Sequence, residues 1–108
     1  MARIINLAIG SSCAKPGDLA GNLAQINRFA EQAADQHCDI LLTPELSATG
    51  YGSYPEVLEL AERAGDGSIF RSLADMAASK HVQITAGFVE QGDDSHLYLA
   101  HYLVRPDR

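Results

Sequence analysis

Four segments of the chain have the pattern of buried β-strands. Residues 4–10, IINLAIG, form a short apolar run that is β-branched at its start and closed by glycine. Residues 39–43, DILLT, form a second run, and residues 82–90, VQITAGFVE, a third. Residues 97–104, LYLAHYLV, form the fourth. Nearly every position in these runs is apolar, which is typical of strands in a sheet covered on both faces.

Helical patterns occupy the segments between these strands. Apolar residues recur at helical spacing over residues 19–34 behind Asp18, a good N-cap residue, and they predict a helix that ends near residues 36–37. A shorter helix is expected over residues 55–63, because proline is tolerated in a first helical turn. A third helix is expected from Ser68, as its N-cap, to about residue 80.

The order of these elements predicts a mixed α/β sheet. A strand, a long helix and a second strand form a βαβ unit, which implies a parallel pair joined by a right-handed crossover. Residues 91–95, QGDDS, resemble a hairpin turn, so the last two strands are expected to be antiparallel. We therefore expect one domain with its helices on one face of the sheet. The other face lacks a covering layer, and we expect it to expose an apolar patch and to promote self-association.

Composition narrows the classes of protein and of partner. The chain has 108 residues, which suits a single domain, and 46% of them are hydrophobic, which is a normal globular value. Its net charge is −6, with 14 acidic and 8 basic residues, so nucleic acid and anionic membranes are poor candidate partners. No apolar run approaches the roughly 20 residues of a membrane span. Residues 4–9 are not followed by a small-residue cleavage site, so we expect a cytoplasmic protein without a signal peptide.

The residues that most often bind metals or cofactors give no recognisable pattern. The spacing of Cys13 and Cys38 fits neither a CxxC redox pair nor a zinc site, so we expect two reduced thiols. His96 and His101 are five residues apart, and on one strand they would point to opposite faces. The segment GSSCAKPG lacks the spacing of a phosphate-binding loop. No metal and no cofactor is therefore predicted.

Acidic residues are concentrated in the predicted short helix. Glu56, Glu59 and Glu62 would lie on one face of a helix over residues 55–63, and we expect that face to be solvated. Glu59 and Arg63 are four residues apart, a spacing at which opposite charges pair along a helix.

The candidate chemistry lies where the second strand ends. Pro44 stops the strand and Glu45 follows at once, at the edge where ligands bind in open α/β sheets. Glutamate is seldom fully buried unless it is paired, so Glu45 is either a solvated residue of the sheet rim or a carboxylate that meets a cation in a cleft. The loop that follows offers the hydroxyls of Thr49 and Tyr51 and a flexible Gly50. We expect Glu45 to be partly sheltered and within reach of this loop.

The segment LLTPELSATGY resembles the glutamate motif of the nitrilase, or carbon–nitrogen hydrolase, superfamily. The segments LAIGSS…PGDLAGNLAQI, LAERAGDGSIFRSLADMAASKHVQITAGFVE and LYLAHYLVRPD extend the resemblance over nearly the whole chain. One departure is Leu99-Ala100 after Tyr98, where the family often has Asn-Ser.

This resemblance implies a fold and a mechanism. The fold would be a four-layer α-β-β-α sandwich, of which residues 1–108 form the N-terminal part of one domain. The chemistry would use a Cys–Glu–Lys triad to hydrolyse a small-molecule amide or nitrile, without a cofactor. Glu45 would be the general base, and Thr49, Gly50 and Tyr51 would form the substrate pocket beside it. The resemblance leaves a homo-oligomer open.

Only one member of that triad has a match in the chain. Cys13 lies in the loop after the first strand and Cys38 precedes the second strand, so neither matches the family's cysteine motif. Lys15 and Lys80 lie outside the lysine motif. Two other interpretations therefore stay open: a non-catalytic remnant or binding module with a half-sandwich fold, and an unrelated α/β domain that is redox-active through Cys13.

Overall fold

The computed structural model describes residues 3–107, and its four strands form one mixed sheet. The strands are β1 (Leu7–Ile9), β2 (Ile40–Leu42), β3 (Gln83–Gln91) and β4 (Leu97–Val104), and they lie side by side in that order. β1, β2 and β3 are parallel, whereas β4 is antiparallel to β3. The predicted βαβ unit and terminal hairpin are both confirmed.

Three helices connect the strands. They are α1 (Leu19–Asp35), α2 (Pro55–Leu58) and α3 (Ser68–Lys80). The Asp18 carboxylate caps α1 by accepting a 3.1 Å hydrogen bond from the amide of Gly21, as the sequence predicted. No helix within residues 3–107 is both long enough and apolar enough to cross a lipid bilayer.

One face of the sheet, here called the helix face, packs against α1 and α3. Alternate strand residues point to this face and meet the apolar stripes of both helices. The strands contribute Leu41, Ile84, Ala86, Phe88, Tyr102 and Val104, and the helices contribute Ile26, Ala30, Ala33, Ile69, Leu73 and Ala77. All of these side chains are buried, so the main core lies between the helix face and the two long helices.

The opposite face of the sheet, here called the open face, is largely uncovered. It carries the other alternate residues, and these include Leu7, Ile9, Leu99 and Leu103. Leu99 is 64% exposed and Leu103 is 60% exposed. The short helix α2 covers one end of this face through Val57, which packs with Leu46 and Val89. The expected apolar patch is therefore present.

The prediction that the first strand is buried was wrong. β1 has three residues instead of the expected seven, and Ile9 is 78% exposed although Ala8 packs against the main core. The reason is its place in the sheet. β1 is an edge strand that pairs only with β2, and its open-face side chains have no layer above them.

The predictions for residues 55–63 and for the start of α3 were also wrong. α2 ends at Leu58, and the chain then runs alongside β3, where the Glu62 amide donates to the Val89 carbonyl at 3.1 Å and the Gln91 amide donates to the Glu62 carbonyl at 2.8 Å. Glu62 is therefore not on a solvated helix face. Arg63 pairs with Asp93 and not with Glu59.

Glu62 also takes the capping role that Ser68 was expected to have. Its carboxylate accepts from the amides of Ile69 at 2.9 Å and Phe70 at 3.0 Å, and from the Tyr102 hydroxyl at 2.9 Å. Ser68 is the first residue of α3, and the preceding Gly67 has no side chain that could cap the helix. A carboxylate at a helix N-terminus satisfies free amides and opposes the positive end of the helix dipole.

Candidate active site

Hydrogen bonds from side chains hold the turn that follows β2 against β3. The regular pairing of β2 with β3 ends at Leu41 and Ile84. Beyond this point the Thr43 amide donates to the Thr85 hydroxyl at 3.2 Å, and the Thr43 hydroxyl donates to the Thr85 carbonyl at 2.6 Å. The Gly87 amide then donates to the Ser47 hydroxyl at 3.1 Å. These bonds replace a sheet ladder, so the turn that carries Glu45 is fixed to β3.

Glycine at position 87 lets this turn lie directly over the sheet. A Cβ atom at Gly87 would lie 2.1 Å from the Leu46 amide nitrogen and 3.0 Å from the Glu45 carbonyl carbon. The Ala48 amide donates to the Gly87 carbonyl at 3.0 Å, and Leu46 has a left-handed φ of 53°. Any larger residue at position 87 would push the Glu45–Leu46 backbone away from β3. Gly87 therefore sets the position of Glu45.

Glu45 and Tyr51 form a side-chain pair at the carboxyl edge of β2. The Tyr51 hydroxyl donates to Glu45 Oε1 at 2.5 Å. This hydrogen bond raises the pKa of Tyr51 above its usual value, and partial desolvation and the charge of Glu45 act in the same direction. The predicted reach between Glu45 and the following loop is present.

The expectation that Glu45 is sheltered was wrong. Glu45 is exposed, and its partner Tyr51 is 53% exposed. The physical reason is that the turn carrying Glu45 lies over Gly87 on the side of the open face. Two helices cover the helix face, whereas no described residue covers the Glu45 carboxylate.

Thr49 and Gly50 lie beneath the surface, on the inner side of the same loop. The Thr49 side chain is fully buried, and its hydroxyl donates to the Gly50 carbonyl at 3.1 Å. Gly50 has a φ of 84° and packs against the backbone of Pro16. Asn22 ties this loop to α1 by donating to the Ala48 carbonyl at 3.0 Å. The geometry gives Thr49 and Gly50 a supporting position, and their role in a substrate pocket stays a prediction.

His101 is a neighbour of Glu45 that the sequence did not predict. It lies opposite Gly87 in the β3–β4 register, so its side chain is on the open face beside the Glu45–Leu46 backbone. Partial burial lowers the pKa of His101, and the Glu45 carboxylate opposes this shift. The predicted hairpin brings β3 and β4 together, but it does not by itself fix the register that pairs residue 101 with residue 87.

The two cysteines lie in different parts of the fold. Cys13 and Cys38 are both free thiols. Cys38 precedes β2 and Cys13 follows β1, and the parallel pairing of these strands puts the two cysteines at opposite edges of the sheet. Within residues 3–107 no three His, Cys, Asp or Glu side chains are grouped closely enough to hold a metal ion.

A family model and curated sequences resemble this chain. The model of the carbon–nitrogen hydrolases matches residues 2–108. A probable nitrilase of Schizosaccharomyces pombe is 30% identical over 88 residues, which are 80% of this chain and 32% of that protein. A hydrolase of Pseudomonas protegens is 31% identical over 90 residues, which are 83% of this chain and 31% of that protein. The chain thus spans about a third of the length of these relatives.

Solved structures share the fold. A carbon–nitrogen hydrolase superfamily protein of Xanthomonas campestris matches with a TM-score of 0.79 and 19% identity, over 95% of this chain and 37% of that one. An amidase of a Nesterenkonia species matches with a TM-score of 0.78 and 23% identity, over 94% of this chain and 38% of that one. The sheet and its two long helices therefore correspond to a portion of these larger structures.

Proposed function

This chain belongs to the carbon–nitrogen hydrolase family, and from that membership we propose that it forms the N-terminal part of an enzyme that hydrolyses a small-molecule amide or nitrile. In this proposal Glu45 is the general base and acid, and residues 1–108 are one part of the catalytic domain. The observation that carries the proposal is the hydrogen-bonded pair of Glu45 and Tyr51 at the carboxyl edge of β2. Open α/β sheets bind their ligands at the carboxyl ends of the strands, and the Glu45 carboxylate lies at that edge.

The two side chains of this pair have different roles in the proposal. Tyr51 donates to Oε1 of Glu45 and holds the carboxylate, which leaves Oε2 for proton transfer. Glu45 takes the proton from the attacking cysteine thiol and later returns a proton to the departing nitrogen. Covalent attack by a thiolate divides one difficult hydrolysis into two easier steps.

Residues outside positions 1–108 complete this mechanism. By family resemblance a cysteine is the nucleophile and a lysine stabilises the anion that forms on the substrate oxygen or nitrogen. Cys13 and Cys38 are poor candidates for the nucleophile, because Cys38 lies at the amino end of β2, away from Glu45, and Cys13 does not match the cysteine motif. The lysine matters because electrostatic stabilisation is often the largest contribution to catalysis. We place the enzyme in the cytoplasm, with neither metal nor cofactor.

A non-catalytic binding module is the second candidate. The observation that favours it is the exposure of Glu45, because a working general base is usually tuned by burial and by a charged neighbour. The coding sequence after codon 108 separates the two candidates. A continuing frame with a lysine motif and a cysteine motif supports the enzyme, and an immediate stop supports the binding module.

The substitution Glu45→Gln tests the role of the carboxylate. In a protein that carries residues 1–108 and the remaining, downstream part of the domain, we expect kcat for an amide or nitrile to fall at least about a hundredfold, because glutamine keeps the shape and loses the base. Glu59→Gln is the matched control, since Glu59 is an exposed glutamate just after α2. Turnover by the Glu45→Gln protein at the parent rate would show that Glu45 is not the base.

A further inference from the structure

An apolar pocket of about 290 Å³ lies beside the Glu45–Tyr51 pair. Its walls include Leu46 and Leu58 from the loop and α2, Val89 from β3, and Leu97 and Leu99 from β4. The ring of Tyr51 forms a further wall. None of the side chains that line the pocket carries a formal charge. A site of this composition binds hydrocarbon and rejects ions, because a charge placed there would lose its water without gaining a partner.

Two residues connect this pocket directly to the candidate base. Leu46 lines the pocket and is the residue next to Glu45 in the chain. Tyr51 lines the pocket with its ring and donates its hydroxyl to Glu45 Oε1 at 2.5 Å. When the carbonyl or nitrile carbon of a small molecule reacts beside Glu45, a substituent on that carbon can therefore extend into the pocket.

The size of the pocket sets the kind of substituent that fits. An engineered apolar cavity of about 150 Å³ is sufficient to bind benzene. A pocket of about 290 Å³ therefore accepts a phenyl ring or a branched aliphatic chain. The Glu45 carboxylate at its edge and the net charge of −6 both disfavour an anionic substituent.

We propose that this pocket binds an uncharged aromatic or branched aliphatic substituent of the substrate and makes the enzyme selective for amides or nitriles that carry one. The proposal rests on the assignment of Glu45 as the general base. It makes Leu99 a specificity residue, because its side chain lies on the open face opposite Val89 and both line the pocket. It also gives Tyr51 a second role, as the ring that separates the substituent from the carboxylate.

Fluorine NMR with two amide probes tests this pocket, at a protein concentration at which sedimentation shows that the parent chain and both variants are monomers. The probes are 4-fluorophenylacetamide, which has a ring, and fluoroacetamide, which has none. The test variant is Leu99→Glu, and the matched control is Leu103→Glu. Both leucines are exposed on the open face of β4, at 64% and 60%, and only Leu99 lines the pocket. Circular dichroism of each variant verifies that it folds.

The ring-bearing probe is expected to bind, and Leu99→Glu is expected to weaken its binding about tenfold or more, since it puts a carboxylate into an apolar wall. Leu103→Glu is expected to leave the binding within about twofold of the parent. Fluoroacetamide is expected to bind far more weakly than the ring-bearing probe. Equal loss in both variants would mean that the probe coats the whole open face, and equal binding of both probes would also overturn the proposal.

Turnover by the longer protein separates this proposal from the hydrolase assignment. The ratio of kcat/KM for phenylacetamide to that for acetamide is expected to exceed about 10 in the parent and to fall in Leu99→Glu. A protein that binds the ring but hydrolyses neither amide would refute the hydrolase assignment and leave the pocket standing. A protein that hydrolyses both amides with equal kcat/KM would refute the pocket and leave the hydrolase assignment standing.

Discussion

Both faces of the sheet carry large apolar side chains, but the surroundings of these side chains are very different. On the helix face, Ile84 and Phe88 are almost completely buried under α1 and α3. On the open face, Leu99 and Leu103 lie on the same sheet and are more than half exposed. All four side chains are large and apolar, and each would suit a buried strand equally well. Hydrophobic patterning therefore shows that a strand is built to be covered, and it does not show which layer covers it.

Glu45, Tyr51 and His101 lie on the open face or at its edge. The Glu45–Leu46 backbone lies over Gly87, the His101 side chain points to the same side, and Tyr51 reaches back to Glu45. The helix face carries the hydrophobic core and holds the sheet together. In the proposed enzyme, the covering layer and the substrate would both approach the open face, where the side chains of Glu45, Tyr51 and His101 lie.

Paired substitutions on the two faces test this division first, with the largest expected effect. Leu73→Ala, in the core under the helix face, is expected to lower the free energy of unfolding by about 2–5 kcal/mol. Leu103→Ala, on the open face, is expected to change it by no more than about 0.5 kcal/mol. Urea unfolding followed by circular dichroism at low protein concentration measures both values. Similar losses at both positions would mean that the open face is packed in solution.

Self-association of the isolated chain is the second test of the comparison. Exposed apolar surface of this extent promotes association, and the unpaired edges of β1 and β4 add to it. Sedimentation velocity is expected to show oligomers of the parent chain at high concentration and a shift toward monomer in Leu103→Glu. Glu31→Gln, which changes a charge on the exposed side of α1, serves as the control. A parent chain that stays monomeric at high concentration would indicate a complete domain.

How far the sequence predicts the fold depends on whether the deciding interactions are local. The helix α1 and its Asp18 cap were predicted correctly, because a long apolar stripe and a capping side chain act within the segment itself. Residues 59–63 were predicted wrongly, because the pairing of Glu62 with Val89 and Gln91 across the fold overrides local helix propensity. The burial of β1 was also wrong, since an edge position follows from strand order and not from composition.

The candidate site was predictable in part for the same reason. The contact of Tyr51 with Glu45 follows from a spacing of six positions and from a glutamate at a strand end, and both are visible in the sequence. Shelter for Glu45 depends on a layer that residues 3–107 do not supply. His101 becomes a neighbour of Glu45 through the β3–β4 register and through the close approach of the Glu45–Leu46 backbone to Gly87, and both depend on contacts between distant segments.

The smallest expected effect is the pH dependence of stability that His101 contributes, and it reports on the open face near Glu45. Partial desolvation holds the pKa of His101 below its ordinary value of about 6.5, so the folded state binds fewer protons than the unfolded state between the folded pKa and about pH 6.5. The stability contributed by neutral His101 is thus fully present above about pH 6.5 and is lost as the pH falls through the folded pKa.

The substitution Glu45→Gln sharpens this titration. Glu45 opposes the burial effect, so Glu45→Gln is expected to lower the pKa of His101 further, as measured by NMR of the imidazole ring. Glu59→Gln should leave the pKa of His101 unchanged. An unchanged value in Glu45→Gln would show that the two side chains do not interact.

Hydrolysis by residues 1–108 alone, compared with hydrolysis by the same residues joined to the downstream part of the domain, tests the central claim most directly. We expect the 108-residue chain to hydrolyse no amide or nitrile above background, because in the proposed mechanism it would offer the base without the nucleophile and the lysine, and removing members of such a unit removes most of the rate. The longer protein is expected to be active. If the 108-residue chain hydrolysed these substrates at the rate of the longer protein, the proposal that residues 1–108 contribute only the general base would be contradicted.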